Sequence, residues 1–180
     1  MQINAKLSKD KRIEIAAEEI FSKYGYEKAT LDQIISLADV GKGTVYKYFG
    51  NKEQLFYKLV SAKNEPFVEA LRVAVESESE LKDKLTAYFK VMVEFYQKNC
   101  ALWQIIYYEM LNDTHCTVVF DAEDNAQVIS RYSEDTVSVE VKERFLRYHN
   151  LLTSEFEILY KIVVDGMKEG TLKSGNARIA

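Results

Sequence analysis

The chain has 180 residues, of which 47% are hydrophobic and 29% are charged, and it contains one Pro and seven Gly. This is an ordinary globular composition that favours helices, and the length suffices for one or two small domains with a real core. No apolar run approaches the roughly 18 residues of a membrane span, and the polar N-terminus is unlike a secretory signal. We therefore expect a cytoplasmic protein that does not insert into a membrane.

Charge is distributed unevenly along the chain. The net charge is −4, but residues 1–63 hold 11 Lys and Arg against 8 Asp and Glu, a balance of +3, whereas residues 64–180 hold 13 against 20, a balance of −7. A partner that carries phosphate groups would therefore face the first segment, and the acidic remainder would point away from it.

The first predicted helix runs from about residue 8 to residue 24. It has apolar residues at helical spacing on one face, and Gly25 is a natural helix stop. The apolar residues are Ile13, Ala16, Ala17, Ile20 and Phe21.

A helix-turn-helix pattern follows at residues 30–49. Thr30 and Gln33 form a capping box at the start of one short helix. Residues 39–41 interrupt the pattern, and a second helix is predicted from about Lys42 to Phe49, with Gly41 as its N-cap. This arrangement suits a motif whose second helix enters the DNA major groove.

The second short helix is rich in groups that bind DNA. Val45 or Tyr46, together with Phe49, would hold it against neighbouring helices, while its other face would offer side chains that donate hydrogen bonds to phosphates and base edges. Those side chains are Lys42, Thr44, Lys47 and Tyr48. The spacing alone leaves open a helical hairpin with a solvated basic face that never touches DNA.

The remainder of the chain is also predicted to be mainly helical. A helix begins near Lys52, with Asn51 as its cap, and Pro66 interrupts it or starts its continuation. Helical patterns follow at 80–98, at 101–111 and, after an irregular segment at about 113–137, at 138–170. We read the irregular segment as a partly helical excursion or a mobile flap. The apolar stripe of the last helix is Val141, Phe145, Tyr148, Leu152, Phe156, Leu159, Val163 and Met167.

Residues 9–56, about a quarter of the chain, resemble the N-terminal domain of tetracycline-repressor (TetR) family transcription regulators. Several submotifs agree in order and distance, which makes the resemblance specific. They are Ile15–Phe21, Tyr24–Thr30, Ile34, Lys42–Phe49 and Asn51–Phe56. The chain departs from the family pattern at Asp39, where the family usually has Gly, and at Gly41, where it often has Ser or a similar residue.

The resemblance implies an all-α fold and a division of roles. Residues 1–50 would be a three-helix DNA-binding domain, and residues 51–180 a helical effector-binding and dimerisation domain. Within the first, one set of residues would hold phosphates and another would lie at or near base edges. The phosphate set is Thr30, Thr44, Tyr48 and Lys52, and the base-edge set is Lys42, Gly43, Val45, Tyr46 and Lys47.

The resemblance also implies partners for the second domain. A small apolar or aromatic effector would bind between its helices, and the protein would act as a homodimer on a double-stranded operator. Family members usually have two further helices beyond the position of Gly170, and these helices form the dimer interface. We therefore expect that the chain is truncated at Ala180. The alternative is dimerisation through other surfaces, such as the helix at 138–170. The candidate pocket residues are Tyr88, Phe89, Met92, Tyr96, Trp103, Tyr107, Met110, Phe156 and Tyr160.

Catalytic and metal sites are not expected. The two histidines, His115 and His149, provide no nucleophile, base and oxyanion set. Glu109, Asp113, His115 and Cys116 lack an evident complete ligand set. The sequence therefore predicts a DNA-binding regulator without cofactor or metal, and the family resemblance implies a repressor. The alternative is an interaction protein with a vestigial helix-turn-helix, which the net acidity and Asp39 favour.

Overall fold

A computed structural model describes residues 3–112, 116–120, 126–130, 137–173 and 175. It confirms the predicted helical fold and its N-terminal helix-turn-helix. The elements are α1 (Lys9–Lys28), α2 (Leu31–Ala38), α3 (Lys42–Phe49), α4 (Lys52–Glu76), α5 (Leu81–Ile105), a π-helical segment (Ile106–Asn112), β1 (Cys116–Phe120), β2 (Ala126–Ser130) and α6 (Val139–Lys168). Among the described helices, none combines the length and apolar character needed to cross a membrane.

The chain forms two compact units. Unit 1 comprises Met1–Lys63 and Ala101–Phe145, and unit 2 comprises Asn64–Cys100 and Leu146–Ala180. The predicted domains, residues 1–50 for DNA binding and residues 51–180 for effector binding and dimerisation, were defined by function, and this division remains a prediction.

The core of unit 1 forms where the apolar face of α1 meets the two short helices. All five predicted core residues of α1 are buried, as are Ile34 and Ala38 of α2 and Val45 and Phe49 of α3. Phe56 of α4 completes an aromatic cluster, with its ring centroid 4.9 Å from that of Phe21 and 5.4 Å from that of Tyr26. Burial, with a smaller contribution from the Glu53 carboxylate, raises the pKa of Tyr26 to about 12. Because the eight-residue helices α2 and α3 would be unstable alone, this packing is what holds them in place.

Gly25 breaks α1, as the sequence predicts, although a further helical stretch continues to Lys28. Its φ of 75° and ψ of 177° lie in a region that essentially only glycine adopts. The Glu109 carboxylate of the π-helical segment packs directly over Gly25 and accepts a 2.9 Å hydrogen bond from the backbone N–H of Glu27. The break in α1 is therefore stabilised by the side chain of Glu109, which lies 82 residues after Glu27 in the chain.

Gly25→Ala should lower the free energy of unfolding by about 2 kcal/mol, because the new Cβ forces a strained backbone and would lie 2.8 Å from Glu109 Oε1. Gly43→Ala is the matched control. Gly43 lies inside α3 with open space around its Cβ position, so alanine there should stabilise by about 0.5–1 kcal/mol. Urea denaturation measures both effects, and equal stabilities for the two variants would contradict this account.

Three predicted elements differ from the structure. Pro66 is predicted to interrupt a helix or to start its continuation, but it lies within a single helix, α4. The patterns at 80–98 and 101–111 belong to one continuous helix that passes into the π-helical segment. The segment predicted as irregular or partly helical contains the antiparallel strands β1 and β2, paired from Cys116 with Ser130 to Phe120 with Ala126. Helical periodicity could not reveal these strands because they are only five residues long and are separated by a polar stretch.

The core of unit 2 is an apolar cluster from α4, α5 and α6. Phe67, Leu71, Val75, Tyr88 and Ile162 are buried in it. The rings of Phe67 and Phe95 stack with centroids 3.8 Å apart. The predicted stripe of α6 is wrong at one position, because Phe156 is 38% exposed and its neighbour Glu155 is fully buried instead.

Candidate nucleic-acid interface

The predicted capping box fixes the start of α2. The Thr30 hydroxyl accepts a hydrogen bond from the Gln33 N–H at 3.2 Å, and the Gln33 side chain accepts one from the Thr30 N–H at 2.8 Å. Two backbone donors that the helix leaves unpaired are satisfied in this way. A hydroxyl used as a cap can still present its oxygen near the end of the helix, so the assignment of Thr30 to phosphate binding remains a prediction.

Asp39 adopts the left-handed conformation at the turn between α2 and α3. Its φ is 50° and its ψ is 57°, and its N–H donates to the carbonyls of Ile35 and Ser36. This conformation explains why glycine suits the position and why Asp, which tolerates it better than most residues, can replace glycine.

Arg12 of α1 binds the same turn, a role that the sequence does not reveal. Its Nε donates to the Ala38 carbonyl at 2.9 Å, and Nη2 donates to the carbonyls of Ala38 and Asp39 and lies 3.2 Å from Asp39 Oδ2. The Arg12 side chain is only 11% exposed. A cation at the carboxyl end of α2 also complements the helix dipole. Since the acceptors are mainly backbone carbonyls, no pattern of residue types could have identified this contact.

Arg12→Met should lower the free energy of unfolding by about 2 kcal/mol, because it leaves carbonyls at the turn without a charged donor. Arg72→Met is the control. Arg72 makes a 2.9 Å ion pair with Glu69 on the exposed surface of α4, which contributes at most about 1 kcal/mol. Thermal denaturation followed by circular dichroism compares the two, and an Arg12 variant no less stable than the Arg72 variant would refute the role of this contact.

The two faces of α3 differ in exposure. Val45 is 1% exposed and Phe49 is 5% exposed, whereas Tyr46 is 46% and Tyr48 is 44% exposed. The placement of Val45 at base edges is therefore wrong, because its side chain packs into the core of unit 1. The solvent-facing residues of α3 are Lys42, Gly43, Tyr46, Lys47 and Tyr48, with Thr44 half-buried beside them. We call these six residues the α3 surface.

The ends of α3 are held by different means. At its start Gly41 provides no side-chain cap, as predicted, and the Thr44 N–H donates to the Gly41 carbonyl at 2.9 Å. At its end the Lys58 ammonium donates to the Tyr48 carbonyl at 2.7 Å. Lys42 lies 3.5 Å from an Asp32 carboxylate oxygen in an exposed ion pair, which a stronger phosphate partner could replace.

Lys52 is placed differently from the other predicted phosphate ligands. Its ammonium donates to the carbonyls of Tyr26 at 2.9 Å and Ala29 at 3.2 Å and lies 4.3 Å from the centre of the Tyr26 ring. Its donors thus serve the end of α1, which accounts for a lysine in the first turn of α4 without a phosphate. The Asn51 side chain caps that helix, as predicted, by accepting from the Gln54 N–H at 2.8 Å.

The candidate pocket residues do not form one group. Tyr88, Met92 and Tyr96 belong to the apolar cluster of unit 2, whereas Phe89, Phe156 and Tyr160 of the same unit are exposed. Trp103 is buried in unit 1, Tyr107 is exposed there, and the side chain of Met110 lies outside the described residues. A surface cleft of about 490 Å³ in unit 2 has walls from Ala74 to Glu94 that include none of the nine.

The described residues offer no evident metal centre. Asp113 and His115 lie outside them, and within the described ranges no three His, Cys, Asp or Glu side chains converge as a metal site needs.

Comparisons with known proteins show which regulators this chain is similar to. Residues 15–59 match the sequence model of bacterial regulatory proteins of the tetR family. An uncharacterised HTH-type transcriptional regulator of Bacillus subtilis, YhgD, is 27% identical over 168 residues, which cover 93% of this chain and 73% of that protein. The fatty acid metabolism regulator protein of Bacillus subtilis is 24% identical over 160 residues, with 89% and 69% covered.

Solved structures share the fold. A tetR-family regulatory protein from Rhodococcus superposes with a TM-score of 0.69 at 20% identity, covering 96% of this chain and 76% of its own. FadR from Bacillus subtilis, solved in complex with stearoyl-CoA, superposes with a TM-score of 0.64 at 21% identity, covering 92% and 74%.

Proposed function

Since this chain belongs to the TetR family of helix-turn-helix transcriptional regulators, we propose that it is a repressor that reads an operator with the α3 surface. It acts by binding and not by catalysis, and it does so in the cytoplasm. A small apolar or aromatic effector in the C-terminal part of the chain releases the operator.

The observation that carries this proposal is the exposure pattern of α3. Val45 and Phe49 anchor the helix in the core, and this leaves two lysines and two tyrosines facing solvent on an eight-residue helix. Lysine ammonium and tyrosine hydroxyl groups are donors that phosphate oxygens and base edges accept.

A vestigial helix-turn-helix is less well supported than a working one. The capping box, the Arg12 contact and the Lys58 contact each stabilise the position of α2 or α3. Asp39, which suggested a damaged turn, occupies a left-handed conformation with its N–H satisfied. These contacts keep α2 and α3 in the arrangement that a DNA-reading motif requires.

A homodimer accounts for exposed apolar side chains in unit 2. Phe89 and Val93 lie one turn apart on α5 and are 52% and 54% exposed, and Phe156 and Tyr160 lie one turn apart on α6 and are 38% and 45% exposed. Apolar pairs of this kind are typical of surfaces that a partner covers. Two copies would place two α3 surfaces on an operator with two half-sites, which raises affinity without new contacts.

A reporter gene fused to the DNA that flanks the gene for this chain tests the proposal. Expression of the chain should lower reporter output, and a Tyr46→Ala, Lys47→Ala double variant should restore it. Because both side chains are exposed, this variant should keep the fold, which circular dichroism checks. Unchanged output with the unmodified chain would refute repression at this site, and a rise would indicate an activator.

A further inference from the structure

A buried acid lies in unit 2, and neither the fold nor DNA binding explains it. Glu155 of α6 is fully buried, although carboxylates are almost never fully buried unless they are paired. Its Oε1 accepts a 2.6 Å hydrogen bond from the Tyr96 hydroxyl, while its Oε2 has no hydrogen-bond partner among the described residues. Burial raises the pKa of this carboxyl to about 7, against the lowering effect of the Tyr96 hydrogen bond.

Among the described residues, a second buried oxygen without a hydrogen-bond partner belongs to Asn64 of α4, whose side chain packs against α6. Asn64 is 7% exposed, and its amide nitrogen donates to the Leu151 carbonyl at 3.1 Å and to the Ser154 hydroxyl at 3.2 Å. These two bonds fix the amide with its nitrogen towards α6. The remaining atom, Oδ1, is buried and has no hydrogen-bond partner in the described part of the chain. Leu151 and Ser154 lie within one turn of Glu155, so the Asn64 amide of α4 packs against the same turn of α6 that carries the buried acid.

Both unsatisfied atoms require a donor. An amide oxygen only accepts hydrogen bonds, and a carboxylate oxygen does the same once it is ionised. Leaving such atoms buried and unpaired is costly, and a buried carboxylate is costlier still unless a cation lies beside it. A primary ammonium group would provide three N–H donors and a compensating charge.

The surroundings suit an apolar body attached to that group. Phe67 and Phe95 stack against each other, and Tyr88, which is fully buried, donates from its hydroxyl to the Glu155 carbonyl at 3.1 Å. The Tyr96 ring lies perpendicular to that of Phe67, with centroids 6.3 Å apart, and its hydroxyl donates to the acid. Aromatic walls with a few fixed polar groups are the usual composition of small-molecule sites.

We propose that Glu155 and Asn64 are the polar anchor of the effector site and that the effector is a small apolar molecule with a primary or secondary ammonium group. This inference rests on the proposed effector-responsive function and specifies the class of ligand. An anionic compound is disfavoured because it would bring negative charge against the Glu155 carboxyl. The effector would thus differ in charge from stearoyl-CoA, the ligand found in FadR from Bacillus subtilis.

Isothermal titration calorimetry with three matched probes tests the inference. Phenylbutylamine, phenylbutanol and phenylbutanoate share one apolar body and differ only in the polar group. The amine should bind the full chain at least about tenfold more tightly than the alcohol, since a charged hydrogen-bonded pair is formed only with the amine. Glu155→Gln, which keeps the shape and removes the charge, should abolish this preference. Glu157→Gln, an exposed position on the same helix, should retain it.

Proton linkage provides a second readout that a purely structural acid would not give. At about pH 6 much of the Glu155 carboxyl is protonated, so binding of the amine should release protons, and the observed heat should change with the ionisation enthalpy of the buffer. Amine binding no tighter than alcohol binding, or equal in the Glu155→Gln variant, would overturn the inference.

DNA binding by the same preparation separates the two proposals. If the chain binds its operator but shows no preference for the amine, the ligand inference alone is refuted. If it prefers the amine but binds no operator, the anchor stands as a ligand site and the proposed repressor function is refuted.

Discussion

Glu155→Gln should stabilise the protein by about 3 kcal/mol at about pH 8 and should have little effect at about pH 4. Glutamine fills the same buried position and carries no charge. The Glu155 carboxyl must instead either ionise in an apolar core or stay protonated above its ordinary pKa, and both cost stability. Urea denaturation of the two proteins across this pH range measures the difference.

The sign follows from the pKa of Glu155 in the two states. It is about 4.5 in the unfolded chain and about 7 in the folded protein. Below about pH 4.5 the carboxyl is protonated in both states, and no stability is lost. As the pH rises from about 4.5 to 7 the unfolded chain loses this proton while the folded protein keeps it, so the free energy of unfolding falls. Above about pH 7 the loss is complete and constant.

His149 changes the free energy of unfolding with pH in the opposite direction to Glu155, so the experiment must separate the effects of these two residues. Burial lowers the pKa of His149, so its contribution is lost as the pH falls through its ordinary value of 6.5 and below. Because the Glu155→Gln variant keeps His149, the difference between the two proteins isolates Glu155. Glu157→Gln serves as the exposed control, and a stability difference for Glu155→Gln that does not change with pH would contradict the assigned pKa.

Lys47→Ala should weaken operator binding by about five- to 150-fold, which corresponds to about 1–3 kcal/mol for loss of a base-edge contact. Lys47 is exposed in the last turn of α3, on the surface opposite the buried Val45 and Phe49. If its contact is with a base, discrimination between the operator and a variant operator should also decrease. If its contact is with a phosphate, all sequences should be bound more weakly and the salt slope should decrease by about 1.

Lys98→Ala is the charge-matched control for this prediction. Lys98 is exposed on α5 in unit 2, outside the proposed interface, and its removal changes the net charge by the same amount. Fluorescence anisotropy with labelled duplexes gives both affinities. Equal losses for the two variants would mean that overall charge, and not the α3 surface, determines binding.

The sequence alone predicted those features of the fold that depend on residues close together in the chain. The capping box at Thr30, the break at Gly25 and the apolar face of α1 depend on neighbouring residues, and all three are confirmed. The spacing left open whether Val45 or Tyr46 is buried, because a helix of two turns has too few residues for its periodicity to decide. The base-edge role of Val45 came from the family resemblance, and the burial of its side chain does not fit that role.

Contacts between distant parts of the chain could not be predicted in the same way. Arg12 and Lys52 donate to backbone carbonyls 23 to 27 residues away. Every residue carries such a carbonyl, so no residue pattern marks these acceptors. The burial of Glu155 was not predicted, for a different reason. The predicted stripe of α6 selected the apolar neighbour Phe156, and a periodicity argument cannot place an acid in a core.

The most direct test of the central claim is the affinity of the full chain for the double-stranded DNA that flanks its own gene, compared with a shuffled duplex of the same composition. The measurement is made at about 50 mM and about 200 mM salt, because phosphate contacts release counterions and make affinity salt-dependent. We expect tight binding to the flanking DNA, a clear preference over the shuffled duplex and a steep loss of affinity at the higher salt. Weak binding that is equal on both duplexes would contradict it, since the α3 surface would then not read DNA sequence.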